Sequence, residues 1–237
     1  MKKIFTLMAI FATSLAVVCC NNNNEDDPYG DDPDENEYVA PIKVDGDFSD
    51  WAKLDASKVA VAKLPAEGAA KEALKLVKVY ADEMYVYIYF EWNTELIEYV
   101  PDVEHVPFHI YINSDGDETT GGYADQWTDA NFNFLAEGFL TDGTNIVSYE
   151  ATCCQWTGEV HGAGWGWTII DASADLFAGA GIPGKYEMSM ARELFPIGKL
   201  ADNFTIGFDI QQDWNSVGIL PIGSESSAAS LPVTTVK

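Results

Sequence analysis

Two runs of this chain alternate residue by residue in a way only a β-strand can use. In MYVYIYFEW (84–92), Met84, Val86, Ile88, Phe90 and Trp92 share one face, and Tyr85, Tyr87, Tyr89 and Glu91 share the other. In HVPFHIYIN (105–113), Val106, Phe108, Ile110 and Ile112 oppose His105, His109, Tyr111 and Asn113. Successive strand side chains point to opposite faces, so each run offers an aliphatic face to a core and an aromatic or polar face away from it. Sheets packed on their dry faces make a sandwich. Sequence order favours these two strands as neighbours in one sheet. Tyr85, Tyr87, Tyr89, His109 and Tyr111 would then form one stripe, either a ligand surface or cross-strand packing.

The rest of the chain reads the same way. Leu74 to Tyr80 leads through the turn Ala81-Asp82-Glu83 into the 84–92 run as a hairpin. Strands are expected over 58–64, ending at Pro65, over 145–156, over 186–190 with a helical turn at 191–195, over 203–212, and last over 231–236. The opening VAPIKVDGDFSDW reads as a short strand running into a turn, with Trp51 and Trp92 in the core. Residues 66–73 are alanine-rich and admit a helical turn. The small residues of 172–184 predict a long loop. The fold class is all-β: a single two-sheet antiparallel β-sandwich of the jelly-roll kind, with long loops and little helix. Its 237 residues suffice for one such domain over 39–237.

The front is a different material. Lys2 and Lys3 precede an apolar stretch from Ile4 to Val18, too short for a bilayer anchor. It ends at Cys19-Cys20, and the segment resembles a bacterial lipoprotein signal peptide (1–20) with either cysteine as the lipidation site. Residues 21–38 hold eight acids and no base, which predicts a disordered acidic tether. An acidic stretch after a lipidated cysteine resembles the surface-export signal of Bacteroidetes lipoproteins. The expected location is the outer membrane, lipid-anchored and facing the cell exterior, with the membrane touched only through that N-terminal lipid.

A formal charge of −25, with Arg192 the only arginine, argues against nucleic acid. A neutral ligand or a cation fits this balance better. Cys153 and Cys154 are adjacent in a strand and point to opposite faces, so both are expected as free thiols. No nucleophile elbow, P-loop, zinc-protease helix or dinucleotide-binding glycine pattern is present. The chain is therefore not read as an enzyme.

Between the second run and the strand after it lies SDGDETTGGYADQWTDAN (114–131). Asn113, Asp115, Asp117 and Asp129 gather oxygens that a hard cation would bind, so a structural calcium is expected there, although the loop fails the EF-hand pattern at its sixth and twelfth positions. The opening I-x-V-D-G-x-x-x-D-W, the KVYADEMYVYIYF hairpin, the D-x-D-x-x-T-G-G-Y loop and the KYEMSMARELF segment together resemble family 9 carbohydrate-binding modules and their DOMON-like relatives. The resemblance implies a β-sandwich that calcium often braces. It covers about residues 40–222.

Sugars present apolar C–H faces to indole rings and hydroxyls to polar side chains. Trp156, Trp165 and Trp167 cluster about a glycine-rich turn, Trp127 sits in the acidic loop, and Trp214 follows Gln211-Gln212-Asp213. These loop tryptophans, with Asp213, Asn215, Gln211 and Gln212 as hydroxyl partners, are the preferred surface over the tyrosine stripe. The expected function is non-catalytic cell-surface carbohydrate binding, of a polysaccharide or oligosaccharide, for glycan capture or uptake. Two alternatives stand beside it. One is a haem-binding DOMON-type domain using His109 with Met188 or Met190. The other is a structural or adhesion lipoprotein without a small-molecule ligand.

Overall fold

The computed structural model describes residues 38–65, 71–97, 106–123, 125–129, 131–142, 145–223 and 228–237. The expected signal peptide with Cys19 and Cys20, nearly all of the tether, most of the 66–73 turn, and His105 lie outside these residues. Among the described residues are the strands β1 (Ala60–Lys63), β2 (Leu74–Ala81), β3 (Tyr85–Trp92), β4 (Pro107–Asn113), β5 (Phe134–Thr141), β6 (Ile146–Trp156), β7 (Trp167–Ile170), β8 (Phe177–Ile182), β9 (Lys185–Ala191), β10 (Asn203–Gln212), β11 (Asn215–Leu220) and β12 (Leu231–Thr234). Among the described residues, helix is limited to short 3-10 turns. Every pairing is antiparallel.

The strands form two sheets. One runs β1-β2-β3-β9-β8, and the seven-stranded sheet runs β11-β10-β4-β5-β6-β7 with β12 also on β10. The alternation in each strand puts Val86, Ile88, Phe90, Met188 and Met190 of the first sheet against Phe108, Ile110, Phe134, Phe208 and Ile210 of the second, all fully buried. This is the two-sheet antiparallel sandwich expected from the patterning.

One expectation is corrected here. β3 and β4 are not neighbours but lie in opposite sheets, because their apolar faces are needed on both sides of the core. Phe90 stacks on Phe108 across that core, with ring centroids 4.0 Å apart and 8° between planes. The proposed stripe is thereby split. Tyr85, Tyr87 and Tyr89 lie on the outer face of the smaller sheet, whereas His109 and Tyr111 lie on the outer face of the larger one.

The tyrosines are not a free surface. Residues 42–54 fold across them, with Phe48 and Trp51 5.4 and 5.7 Å from the Tyr89 ring. Glu187 of β9, fully buried, fastens this segment by accepting from the backbone N–H of Asp45 and Gly46 and from the Trp51 indole N–H. For this reason the opening is irregular chain and a 3-10 turn (Phe48–Ala52), not the expected strand: its N–H groups go to side chains and not to a ladder. Trp51 is buried, but on the outer face of the smaller sheet.

The long loop expected over 172–184 contains β8, a strand that small residues hide. A Cβ on Gly179 or Gly181 would lie 2.3 or 2.6 Å from the Tyr186 ring system, so glycine is what lets β8 pair beside that tyrosine. Arg192 is also structural. Its guanidinium donates to the carbonyls of Leu200 and Ala201 and to Thr235, tying the turn after β9 to the C-terminal strand.

Candidate functional site

The outer face of the seven-stranded sheet is divided by the loop between β4 and β5. Trp127 lies flat on β10, where a Cβ on Gly207 would meet its ring at 2.7 Å, and its indole N–H donates to the Pro221 carbonyl. Tyr111, Tyr123, Phe132, Leu135, Cys154, Trp156 and Trp167 complete a buried aromatic layer around it. Tyr111 and Tyr123 are stacked 4.9 Å apart. Trp156 is enclosed by glycines: a Cβ on Gly122, Gly158 or Gly166 would come within 2.3 to 2.7 Å of its ring.

Three of the expected sugar platforms are therefore packing. Trp127 is 1% exposed, and Trp156 and Trp167 are also buried, so none offers a ring face to a ligand. The glycine-rich turn was read as a device for exposing tryptophans, but its glycines make room for one. Trp165 is 64% exposed on the β6–β7 hairpin. It stands at the opposite end of the sheet from Trp214, since the register pairs Gln155 with Phe134 and Ile112 with Ile206, far along β10 from Gln212. The expected residues are thus not one surface.

Trp214, 60% exposed, is the platform that remains beside a polar floor. It sits with Asp213 in the two-residue turn joining Gln212 to Asn215, and both turn residues have positive φ, 50° and 60°. A hairpin of this length requires that conformation at both positions and normally takes Asn-Gly. A tryptophan there costs about 1 kcal/mol or more. Strain of this kind is retained where a side chain is being presented. The indole lies 6.3 Å from the His109 ring and 6.1 Å, edge to face, from that of Phe139. Asp213 and Asn215 are exposed at the same tip, and the Asn215 amide donates to the Asp213 carbonyl.

Beneath the indole, the strand register lines up Asp209, His109, Glu137 and Thr152 across β10, β4, β5 and β6. Asp209 is fully buried and accepts from Gln211 at 2.9 Å and from Ser216 at 2.5 Å. Burial pushes its carboxyl up to about 6. The Gln211 amide nitrogen also lies 3.2 Å from His109 Nδ1. An amide nitrogen only donates, so Nδ1 accepts, and the proton of neutral His109 sits on Nε2. Burial holds this imidazole down at about 4, so it is neutral at pH 7.

That Nε2–H has no hydrogen-bond partner although His109 is 2% exposed. It faces Glu137 Oε1 at 3.7 Å, too far for a hydrogen bond. Burial raises the Glu137 carboxyl, and among the described residues no donor hydrogen-bonds to it. The buried, unpaired Nε2–H is costly unless something fills the gap between it and the half-buried carboxylate. A hydroxyl that accepts from Nε2–H and donates to Oε1 satisfies both. Next to Phe139 the face continues into a shallow recess of about 310 Å³ lined by Thr141, Ser148 and Glu150. Sequence reasoning found Trp214, Asp213, Asn215 and Gln211, but did not join His109, Glu137 and Asp209 to them as a cluster. The only available signal was polar residues on the outward positions of strands with aliphatic inward faces.

Each of the four expected calcium ligands accepts hydrogen bonds in this structure. Asn113 accepts from the Gly116 N–H, Asp115 from the Asp117 N–H and the Thr120 hydroxyl, Asp117 from the Thr119 N–H and hydroxyl, and Asp129 from the Ser230 N–H and hydroxyl. Asn113 and Asp129 line an open cleft of about 520 Å³, and Asp115 and Asp117 do not. Among the described residues no three His, Cys, Asp or Glu side chains gather to hold a metal ion. The loop is held by its own turns. The haem ligands are likewise kept apart. Met188 and Met190 point into the core from the smaller sheet, and His109 lies on the outer face of the larger one.

No family model matches this sequence, and no curated protein matches it. Among solved structures, the fold is similar to a family 9 carbohydrate-binding module from Caldicellulosiruptor kristjanssonii, solved in complex with cellotriose. The identity is 11%, 84% of this chain and 90% of that one are covered, and the TM-score is 0.38. At that score the likeness is too loose to place any residue.

Proposed function

We propose that this protein is a non-catalytic carbohydrate-binding sandwich whose site is the outer face of the seven-stranded sheet beneath Trp214. One observation carries the reading. The unpartnered Nε2–H of His109 and the unpartnered carboxylate of Glu137 face each other at 3.7 Å beside an indole held exposed by a strained turn. A pyranose offers what these groups lack: hydroxyls that donate and accept at once, and a C–H face for the ring. Asp209 and Gln211 fix the imidazole from below and do not touch the ligand. The Trp127, Trp156 and Trp167 layer gives the floor rigidity.

Calorimetric titration with neutral glucose oligomers and a wider glycan panel tests this. Trp214→Ala is expected to weaken binding by about tenfold or more, the size of one lost aromatic anchor. Trp165→Ala, which removes an equally exposed indole elsewhere, is expected to leave affinity unchanged. Loss of binding in Trp165→Ala with retention in Trp214→Ala would move the site to the other hairpin. No binding to any glycan would leave the structural-lipoprotein reading.

We infer from the sequence that a lipid on Cys19 or Cys20 and the acidic tether place this domain at the outer membrane, facing outward, for glycan capture. Incorporation of a labelled fatty acid in cells supports that anchor if it is abolished in the Cys19→Ser/Cys20→Ser double variant. An unlabelled wild-type protein counts against it.

A further inference from the structure

The floor beneath Trp214 carries more negative charge than a neutral sugar needs. Glu137 stands in the centre of the row with no protein donor. Asp209 lies two strands away on the same face, Glu150 faces outward beside Phe139 on β6, and Asp213 adjoins the indole in the turn. Among the described residues, Lys71 is the cation that lowers the Asp209 carboxyl, and its ammonium donates to Gln126. His109 supplies a neutral N–H donor. A half-buried carboxylate without a donor, beside an exposed indole, is how proteins hold an ammonium: the charge is met by the carboxylate and the ring face together. Such a surface repels a uronate or a sulfated sugar.

We propose that the preferred ligand is a saccharide bearing a free amine, bound as its ammonium, with a neighbouring hydroxyl filling the gap between His109 Nε2 and Glu137 Oε1. This rests on the reading of the face as a sugar site. The second oxygen of Glu137 takes the ammonium, and Trp214 covers it. An N-acetylated sugar loses the charge and gains bulk at the same position. A glucose oligomer keeps the hydroxyl contact and lacks the ion pair.

The test compares trimers of glucosamine, N-acetylglucosamine and glucose by calorimetry on the intact domain at pH 6.5, below the pKa of an ordinary amine. The glucosamine trimer is expected to bind about tenfold tighter than the glucose trimer at low salt, roughly the worth of one charge-assisted contact. The gap is expected to close at ~1 M salt, where the Debye length is about 3 Å. Glu137→Gln removes the charge and keeps the side chain's shape, so the ratio of glucosamine-trimer to glucose-trimer affinity should fall towards one, whatever it does to each affinity separately. Trp214→Ala keeps every charge and should weaken glucosamine-trimer binding by about tenfold or more. If it binds as well as wild type, the attraction is only that of an acidic protein for a cation, and the proposal fails. Equal affinity for the two trimers, or tighter binding of the N-acetylated one, overturns the amine preference and leaves the sugar site standing. No binding of any trimer overturns both.

Discussion

At the residue scale, the two buried titratable groups of the row pull stability in opposite directions. Asp209 moves from an ordinary 3.8 to about 6 on folding. The folded state therefore holds this proton more tightly, and the group's contribution is lost as pH rises from 3.8 through 6. His109 moves from 6.5 to about 4. The unfolded chain takes that proton first, so the contribution of neutral His109 is lost as pH falls from 6.5 through 4. Each is worth about 3 kcal/mol at its limit, and across pH 4 to 6 they offset. Single variants separate them. Asp209→Asn should show urea midpoints that fall more steeply than wild type on acidification from pH 6.5 to 4. In His109→Gln the same acidification should raise the midpoint relative to wild type. Parallel curves for both variants would show that these two groups do not titrate as burial dictates.

At the element scale, close approach between strands and aromatic rings sets what each loop tolerates. A methyl on Gly122 would sit 2.3 Å from the Trp156 indole, whereas one on Gly164 meets nothing within 4 Å and carries only the strain of φ 78°. Gly122→Ala is expected to cost about 1–3 kcal/mol by overpacking, and Gly164→Ala about 1 kcal/mol or less, both read from urea unfolding. The segment across the tyrosine face hangs on Glu187. Glu187→Ala removes the acceptor of three donors, of which the buried Trp51 indole N–H carries the main cost, about 1–3 kcal/mol. It should raise hydrogen exchange over residues 42–54 while β3 and β9 stay protected. Uniform loss of protection would mean that the segment is part of the core.

These cases also show what the sequence could carry. Period-two alternation located β1 to β4, β6, β9, β10 and β12 to within a few residues, because one dry face per strand leaves a direct trace in residue type. It could not assign strands to sheets: β3 and β4 have the same pattern whether they pair or face each other across Phe90 and Phe108. β8 was lost because glycines chosen to clear Tyr186 look like loop. The tryptophans misled for the same reason. Glycine beside tryptophan is the pattern of an exposed loop and equally of a ring wedged against bare backbone, and only the register tells Trp156 from Trp214. The His109, Glu137 and Asp209 row spans three strands that are distant in sequence, so no local motif marks it.

At the scale of the whole molecule, a two-sheet sandwich has two outer faces, and this chain uses them differently. The smaller sheet is closed by the chain's own opening segment over Tyr87 and Tyr89. On the larger sheet, the β4–β5 loop covers one end with a rigid aromatic layer and leaves the other end to Trp214 and the polar row. The acidic loop around Asp115 and Asp117 is thereby a brace beside the function. The most direct measurement is chemical-shift mapping of the isotope-labelled domain, residues 39–237, titrated with an oligosaccharide that binds. The account predicts saturable shifts confined to the Trp214 indole, Gln211, His109, Glu137 and Phe139, with the Trp165 indole and residues 42–54 unmoved. Shifts centred on the β6–β7 hairpin or on the tyrosine face, with the Trp214 indole unchanged, would contradict it.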